Sequence, residues 1–143
     1  MARVLGVDYG RRRLGFALSD ETGTLAMPRE VVSVNTLAEA VASTLAQLRT
    51  TGAARVVVGL PLNMNGTRGP MAQEVEEFVA RVARDAGVPV VTWDERLTSA
   101  QVERTLLDAD LSRARRKEVR DKLAAQVMLQ GFLDAQDRES EDR

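Results

Sequence analysis

Three short valine-rich runs constrain this chain more than anything else in it. They are "RVLGVD" at 3–8, "ARVVVGLP" at 54–61 and "VPVVTW" at 88–93. Runs of this length, β-branched and without polar alternation, read as strands buried on both faces. A strand buried on both faces needs helices above and below it. Helical period duly appears between them. Residues 36–51 put Leu37, Val41, Leu45 and Leu48 on one face, with Thr36 and Glu39 spaced as a capping box and Gly52 as a stop. Pro70 opens a second helix with Met71, Val75, Phe78, Val79 and Val82 inward, closed by Gly87.

Before the first helix the pattern is different. Residues 14–19 read as a hairpin partner of the first strand. "DETGT" then turns the chain into a strand over about 25–34, which Pro28 assigns to a sheet edge. After the last strand, Thr98 and Gln101 cap a short helix to about Leu107, and a final helix runs from about Ser112 to Ala135. The order is β-β-β-α-β-α-β-α-α. It describes an α/β fold with a five-stranded mixed sheet, three strands antiparallel and then two parallel, flanked by helices. A chain of 143 residues is one domain, expected over 1–136, with 137–143 a polar, disordered tail.

Two absences narrow the chemistry. The chain has no cysteine and no histidine. Thiol catalysis, imidazole bases, Ser-His-Asp triads and thiolate or imidazole metal sites are excluded. Hydrolysis would have to rest on carboxylates with an oxygen-preferring cation, and Mg²⁺ or Mn²⁺ fits. No apolar stretch is long enough to span a bilayer, and the first residues, MARVLGVDYG, carry no signal-peptide core. The expectation is a cytoplasmic protein with no membrane partner.

Acids occur where a fold normally avoids them. Asp8 ends the first strand, and Asp94 and Glu95 end the last. If strands one, four and five are parallel, these acids share the carboxyl edge of the sheet, where α/β folds place their ligands. At 100° per residue, Ala124, Ala125, Met128 and Phe132 fall within about 60° of Asp121, which puts that acid in the apolar face of the last helix. Lys122, Gln126 and Gln130 fall on the polar arc. Clustered carboxylates repel, and a divalent cation, or a pair about 3.5–4 Å apart, removes the conflict and activates water against a phosphodiester. Each acid also has a plainer reading: Asp8 and Asp94 as turn or helix caps, Asp121 as an ion-pair partner of the arginines.

The net charge is −1, so the distribution of cations matters more than their sum. Arg11, Arg12 and Arg13 follow the first strand. Arg113, Arg115, Arg116, Lys117 and Arg120 crowd the start of the last helix. Arg96 adjoins the last acids, and Asn63 and Asn65 lie in a Gly-rich loop at the same edge. These are the candidate nucleic-acid contacts. Aromatic content is only 3%, so no base-stacking platform is expected, and recognition would rest on backbone charge and shape.

Four blocks, "GVDYGRRRLGFALSD", "VVVGLPLNMNGTRGP", "WDERLTS" and "RDKLAAQVMLQGFL", together span nearly the whole chain. In sequence and order they resemble the YqgF/RuvX family of ribonuclease-H-like nucleases, variously described as Holliday junction resolvases and pre-16S rRNA processing nucleases. The resemblance implies a ribonuclease-H-like fold. It also implies Asp8, Glu95 and Asp121 as catalytic, metal-binding acids, with Mg²⁺ or Mn²⁺ as cofactor. It selects Glu95 over Asp94. The implied partner is nucleic acid, branched DNA or precursor rRNA. Symmetric cutting of a junction favours a homodimer, whereas trimming an rRNA precursor does not require one. The competing expectations are a non-catalytic RNA-binding ribosome-maturation factor that keeps the fold, and an ATP-binding relative of the actin-like kinases.

Overall fold

The valine runs form the middle of one sheet. In the computed structural model, strands β1 (Val4–Tyr9), β2 (Arg13–Ser19), β3 (Ala26–Ser33), β4 (Arg55–Leu60) and β5 (Val90–Asp94) lie in the order β3-β2-β1-β4-β5. Helices α1 (Leu37–Thr51), α2 (Pro70–Ala86) and α3 (Arg113–Glu141) complete it, with a 3₁₀ turn over Glu95–Leu97. The structure describes the backbone of residues 2–97 and 113–141, and the side chains of 2–96 and 123–138. The short helix expected from Thr98 lies outside the described residues.

β1 pairs antiparallel with β2, and β2 with β3; β1, β4 and β5 are mutually parallel. The expected mixed sheet is therefore observed, with Pro28 in the edge strand β3. Period-2 alternation divides the core in two. Leu5, Val7, Tyr9, Leu14, Phe16, Val56 and Val58 face α1 and α2, where Phe78 and Val75 meet them. Val4, Ala17 and Val57 face α3, packing on Ala125, Met128, Leu129 and Phe132. Where β1 and β2 meet α3 the face is lined by smaller residues, and that lets the helix come close. A Cβ on Gly6 would stand 3.0 Å from Leu129 Cβ.

The local signals act much as their chemistry dictates. Thr36 Oγ1 accepts from Glu39 N at 3.1 Å, while the Glu39 carboxylate accepts from Asn35 N at 2.9 Å, one residue earlier than in the usual reciprocal box. In the β2–β3 turn, Asp20 accepts from the amides of Thr24 (2.8 Å) and Leu25 (3.0 Å) and from the Thr22 hydroxyl (2.6 Å). These bonds hold its carboxyl down at a pKa of about 2.

Two expectations change. α3 does not stop near Ala135 but continues to Glu141, taking in polar residues 137–141. Gln126 and Gln130 do not serve merely as a solvent face. Gln130 Oε1 accepts from Ala26 N at 2.9 Å, and Gln126 Nε2 donates to Ala26 O at 3.1 Å. Ala26 begins the edge strand, so the glutamines satisfy backbone groups that the sheet cannot.

Gly6→Val should destabilise the protein by about 1–3 kcal/mol, the usual cost of overpacking. Urea unfolding of both proteins measures it, and an unchanged midpoint would mean that α3 is not held against β1 at this point.

Candidate active site at the carboxyl edge of the sheet

Parallel pairing decides which groups meet. Val7 lies beside Val58 across β1 and β4, and Leu60 beside Asp94 across β4 and β5. The carboxyl ends of all three strands thus reach one edge. Asp8 belongs to the α3 face, because its neighbours Val7 and Tyr9 face the other core. Glu95 starts the 3₁₀ turn after β5 and folds back over β4.

Gly59 makes that return path. A Cβ placed on Gly59 would overlap the Glu95 carboxyl, with Cγ and Cδ both only 2.9 Å away. The half-buried Glu95 carboxyl hydrogen-bonds the Asp8 carboxyl. Burial, then the Asp8 charge and that hydrogen bond, push the Glu95 pKa up to about 8. Its environment therefore favours the protonated form of Glu95 well above the ordinary glutamate range.

The adjacent acid is treated in the opposite way. Arg96 Nε lies 2.9 Å and Nη2 2.6 Å from Asp94 Oδ2, and the Arg96 amide donates to Asp94 Oδ1 at 3.0 Å. The Arg96 guanidinium beside it holds the Asp94 carboxyl below its ordinary pKa. Arg96 Nη1 also donates to Met64 O at 3.2 Å, tying the 61–69 loop to the turn that carries Glu95. Asp94 thus caps and anchors, and Glu95 is the acid that meets Asp8.

The other expected residues divide. Asn63 and Asn65 bond within their own loop, through Thr67 Oγ1 at 3.0 Å and 2.6 Å respectively. Arg96 is engaged by Asp94 rather than presented to solvent alone. Arg11, Arg12 and Arg13 are exposed and line one cavity with Ser33, Val34 and Asn35. Asp121 sits in α3 one turn before Ala125, which is buried against the sheet. The side chains of Asp121 and of Arg113, Arg115, Arg116, Lys117 and Arg120 lie outside the described residues. Among the described residues, no group of three acidic, imidazole or thiol side chains forms a ready metal cluster. Sequence reasoning missed Gly59, although a glycine inside a β-branched strand is a signal of close approach by another group.

A model of the RuvX family, described as Holliday junction resolvase, matches residues 2–135. The chain belongs to the RuvX family. A relative from Symbiobacterium thermophilum, named "Putative pre-16S rRNA nuclease", is 49% identical over 133 residues, covering 93% of this chain and 92% of the relative. One of the same name from Pelotomaculum thermopropionicum is 44% identical, covering 95% and 89%. Among solved structures, RuvC of Thermus thermophilus in complex with a Holliday junction substrate aligns with a TM-score of 0.56 at 21% identity, covering 95% of this chain and 96% of that one. The fowlpox virus Holliday junction resolvase aligns at 0.55 with 10% identity, covering 93% and 99%. These two likenesses show that this RuvX chain has the resolvase fold. No helix among the described residues is long and apolar enough to cross a membrane.

Glu95 titrates far above the ordinary glutamate pKa of 4.5. A raised acid pKa favours the fold below the unfolded value and withdraws that stability as pH rises through the folded one. The chelated protein should therefore lose stability between about pH 4.5 and 8. Glu95→Gln should flatten the loss and be the more stable form at the alkaline end. Thermal melts in EDTA across this range measure it; parallel curves for the two proteins would refute the raised Glu95 pKa.

Proposed function

We propose that this RuvX chain is a divalent-metal-dependent endonuclease that hydrolyses phosphodiester bonds in structured nucleic acid, either at the 5′ end of pre-16S rRNA or in a Holliday junction. The observation that carries the reading is the Asp8–Glu95 pair, two carboxyls brought together at the carboxyl edge of the parallel strands, with Gly59 leaving the room for it. The family match and the names of the relatives support the activity.

The donors fit a hard cation. Only oxygen ligands converge, and the chain has no histidine or cysteine to recruit a softer metal. Asp8 and Glu95 would hold Mg²⁺ or Mn²⁺, with Asp121 completing the set from α3. When bound, such an ion supplies Lewis-acid stabilisation of the phosphoryl oxygens and lowers the pKa of attacking water. To serve as a ligand, Glu95 would have to be in its carboxylate form. Gly59 leaves the space in which the Glu95 carboxyl turns toward Asp8, and the Asp94–Arg96 pair keeps the turn from swinging away. Arg113, Arg115, Arg116, Lys117 and Arg120 come just before Asp121 in the sequence and would meet substrate phosphates.

Asp8→Asn should leave the fold intact and abolish Mg²⁺-dependent cleavage of a four-way DNA junction and of a 5′-extended pre-16S rRNA. Full activity in that variant, or equal cleavage in EDTA, would overturn the proposal. Gly59→Ala should lower cleavage at least tenfold by displacing Glu95, with normal secondary structure by circular dichroism; unimpaired cleavage would deny Glu95 its role.

A further inference from the structure

Among the described residues, three large apolar side chains are exposed: Leu25 and Met27 at 58%, and Met64 at 91%. The first two belong to the edge strand β3 and the turn before it. Met64 stands elsewhere, in the 61–69 loop between β4 and α2. That loop leaves the sheet at its carboxyl edge, since Leu60, the last residue of β4, is the register partner of Asp94.

The loop is built to hold Met64 there. Asn63 to Gly66 form a four-residue turn in which the Gly66 amide donates to Asn63 O at 2.8 Å. Asparagine at the first position and glycine at the fourth are residues such a turn favours, and Gly66 has a φ of 84°. Met64 and Asn65 are the two central residues. The Asn65 carboxamide turns back into the loop, accepting from Thr67 N at 3.1 Å and from Thr67 Oγ1 at 2.6 Å. Asn63 binds the same threonine, its amide donating to Thr67 O at 2.9 Å and its carboxamide to Thr67 Oγ1 at 3.0 Å. Arg96 Nη1 then ties the Met64 carbonyl, at 3.2 Å, to the turn that carries Glu95. None of these bonds needs an apolar side chain at 64. Turn tips favour proline and small polar residues, and a side chain 91% exposed adds nothing to either core.

A flexible thioether held in water beside the acid pair suits the apolar faces of nucleobases. Methionine is among the side chains that proteins wedge between base steps, opening the stack and kinking the strand. The aromatic residues cannot do this here. Tyr9, Phe16, Phe78 and Phe132 are buried in the two cores, and Trp93 packs edge-on against Phe132. The acids also call for an opened strand, because Glu95 is half-buried and folded back over Gly59. A continuous duplex is stiff and would have to deform to bring a phosphodiester down to it. We propose that Met64 is a wedge that enters the base stack beside the phosphodiester lying on Asp8 and Glu95, and so selects nucleic acid with a branch or an unpaired step over continuous duplex. The proposal rests on the nuclease reading for what lies at the acids; unstacking itself requires neither metal nor cleavage.

Fluorescence in EDTA separates the two. The full chain is titrated into a four-way DNA junction carrying 2-aminopurine beside the branch point and, separately, into a 5′-extended pre-16S rRNA fragment carrying it beside the mature 5′ end. This base brightens when it leaves the stack, and anisotropy shows when the substrate is saturated. At saturation the parent should raise the signal about twofold or more on one of the two substrates, Met64→Ser should abolish the rise, and Met64→Leu should keep it. Met27→Ser, the same kind of change on β3, should leave the rise intact. Melting temperatures identical to the parent's confirm that the variants are folded. No rise from the parent on either substrate, or an equal rise from Met64→Ser, would overturn the proposal. If the rise depends on Met64 but neither substrate is cut with Mg²⁺, the wedge stands and the nuclease reading fails. If Met64→Ser cuts as fast as the parent and unstacks as well, the nuclease reading stands and the wedge fails.

Discussion

A hydrogen bond between two carboxyl groups is the contact on which the rest of this molecule turns. Left to solvent, Asp8 and Glu95 would both ionise and separate. The fold prevents it: β1 and β5 run parallel on either side of β4 and deliver both acids to one edge. Gly59, on the strand between, removes the side chain that would keep them apart. Small residues on the same face continue the theme, since Gly6 lets α3 approach and Ala17 and Ala125 fill little volume. The chain sacrifices packing on this face and keeps it on the other, where Phe16, Phe78 and the β1 and β4 valines and leucine build the larger core.

Two neighbouring acids show how environment divides labour. Asp94 and Glu95 are adjacent in sequence and similar in chemistry. One meets a guanidinium and is held ionised; the other meets a carboxylate and is held protonated. The Arg96 that makes the difference also reaches Met64 O, so a single side chain fixes both the turn and the loop beside it. Opposite shifts on consecutive residues are the arrangement expected where one acid serves the structure and the other a ligand.

Much of this was legible in the sequence. Valine runs, Pro28, the Thr36 cap and Gly52 are local signals, and the mixed sheet, antiparallel and then parallel, followed from where the period changed. The convergence of Asp8 with the acids of β5 followed from parallel pairing alone. Choosing between Asp94 and Glu95 did not, because spacing cannot say which of two consecutive carboxylates an arginine two residues on will take. Arg96, expected to meet nucleic acid, is engaged by Asp94 for the same reason: side-chain pairing over so short a span depends on the turn that carries it. Gln126 and Gln130 read as solvent-facing because helical period reports distance from an apolar stripe, not the presence of a strand edge beside it.

The central claim is that the Asp8–Glu95 pair holds a proton that a divalent cation displaces. Calorimetric titration of the full chain with Mn²⁺ at pH 7, in two buffers of different ionisation enthalpy, measures proton release directly. The account predicts close to one proton released per chain at pH 7, fading as the pH rises past about 8 and absent in Glu95→Gln. Binding without proton release at pH 7, or the same release from Glu95→Gln, would contradict it.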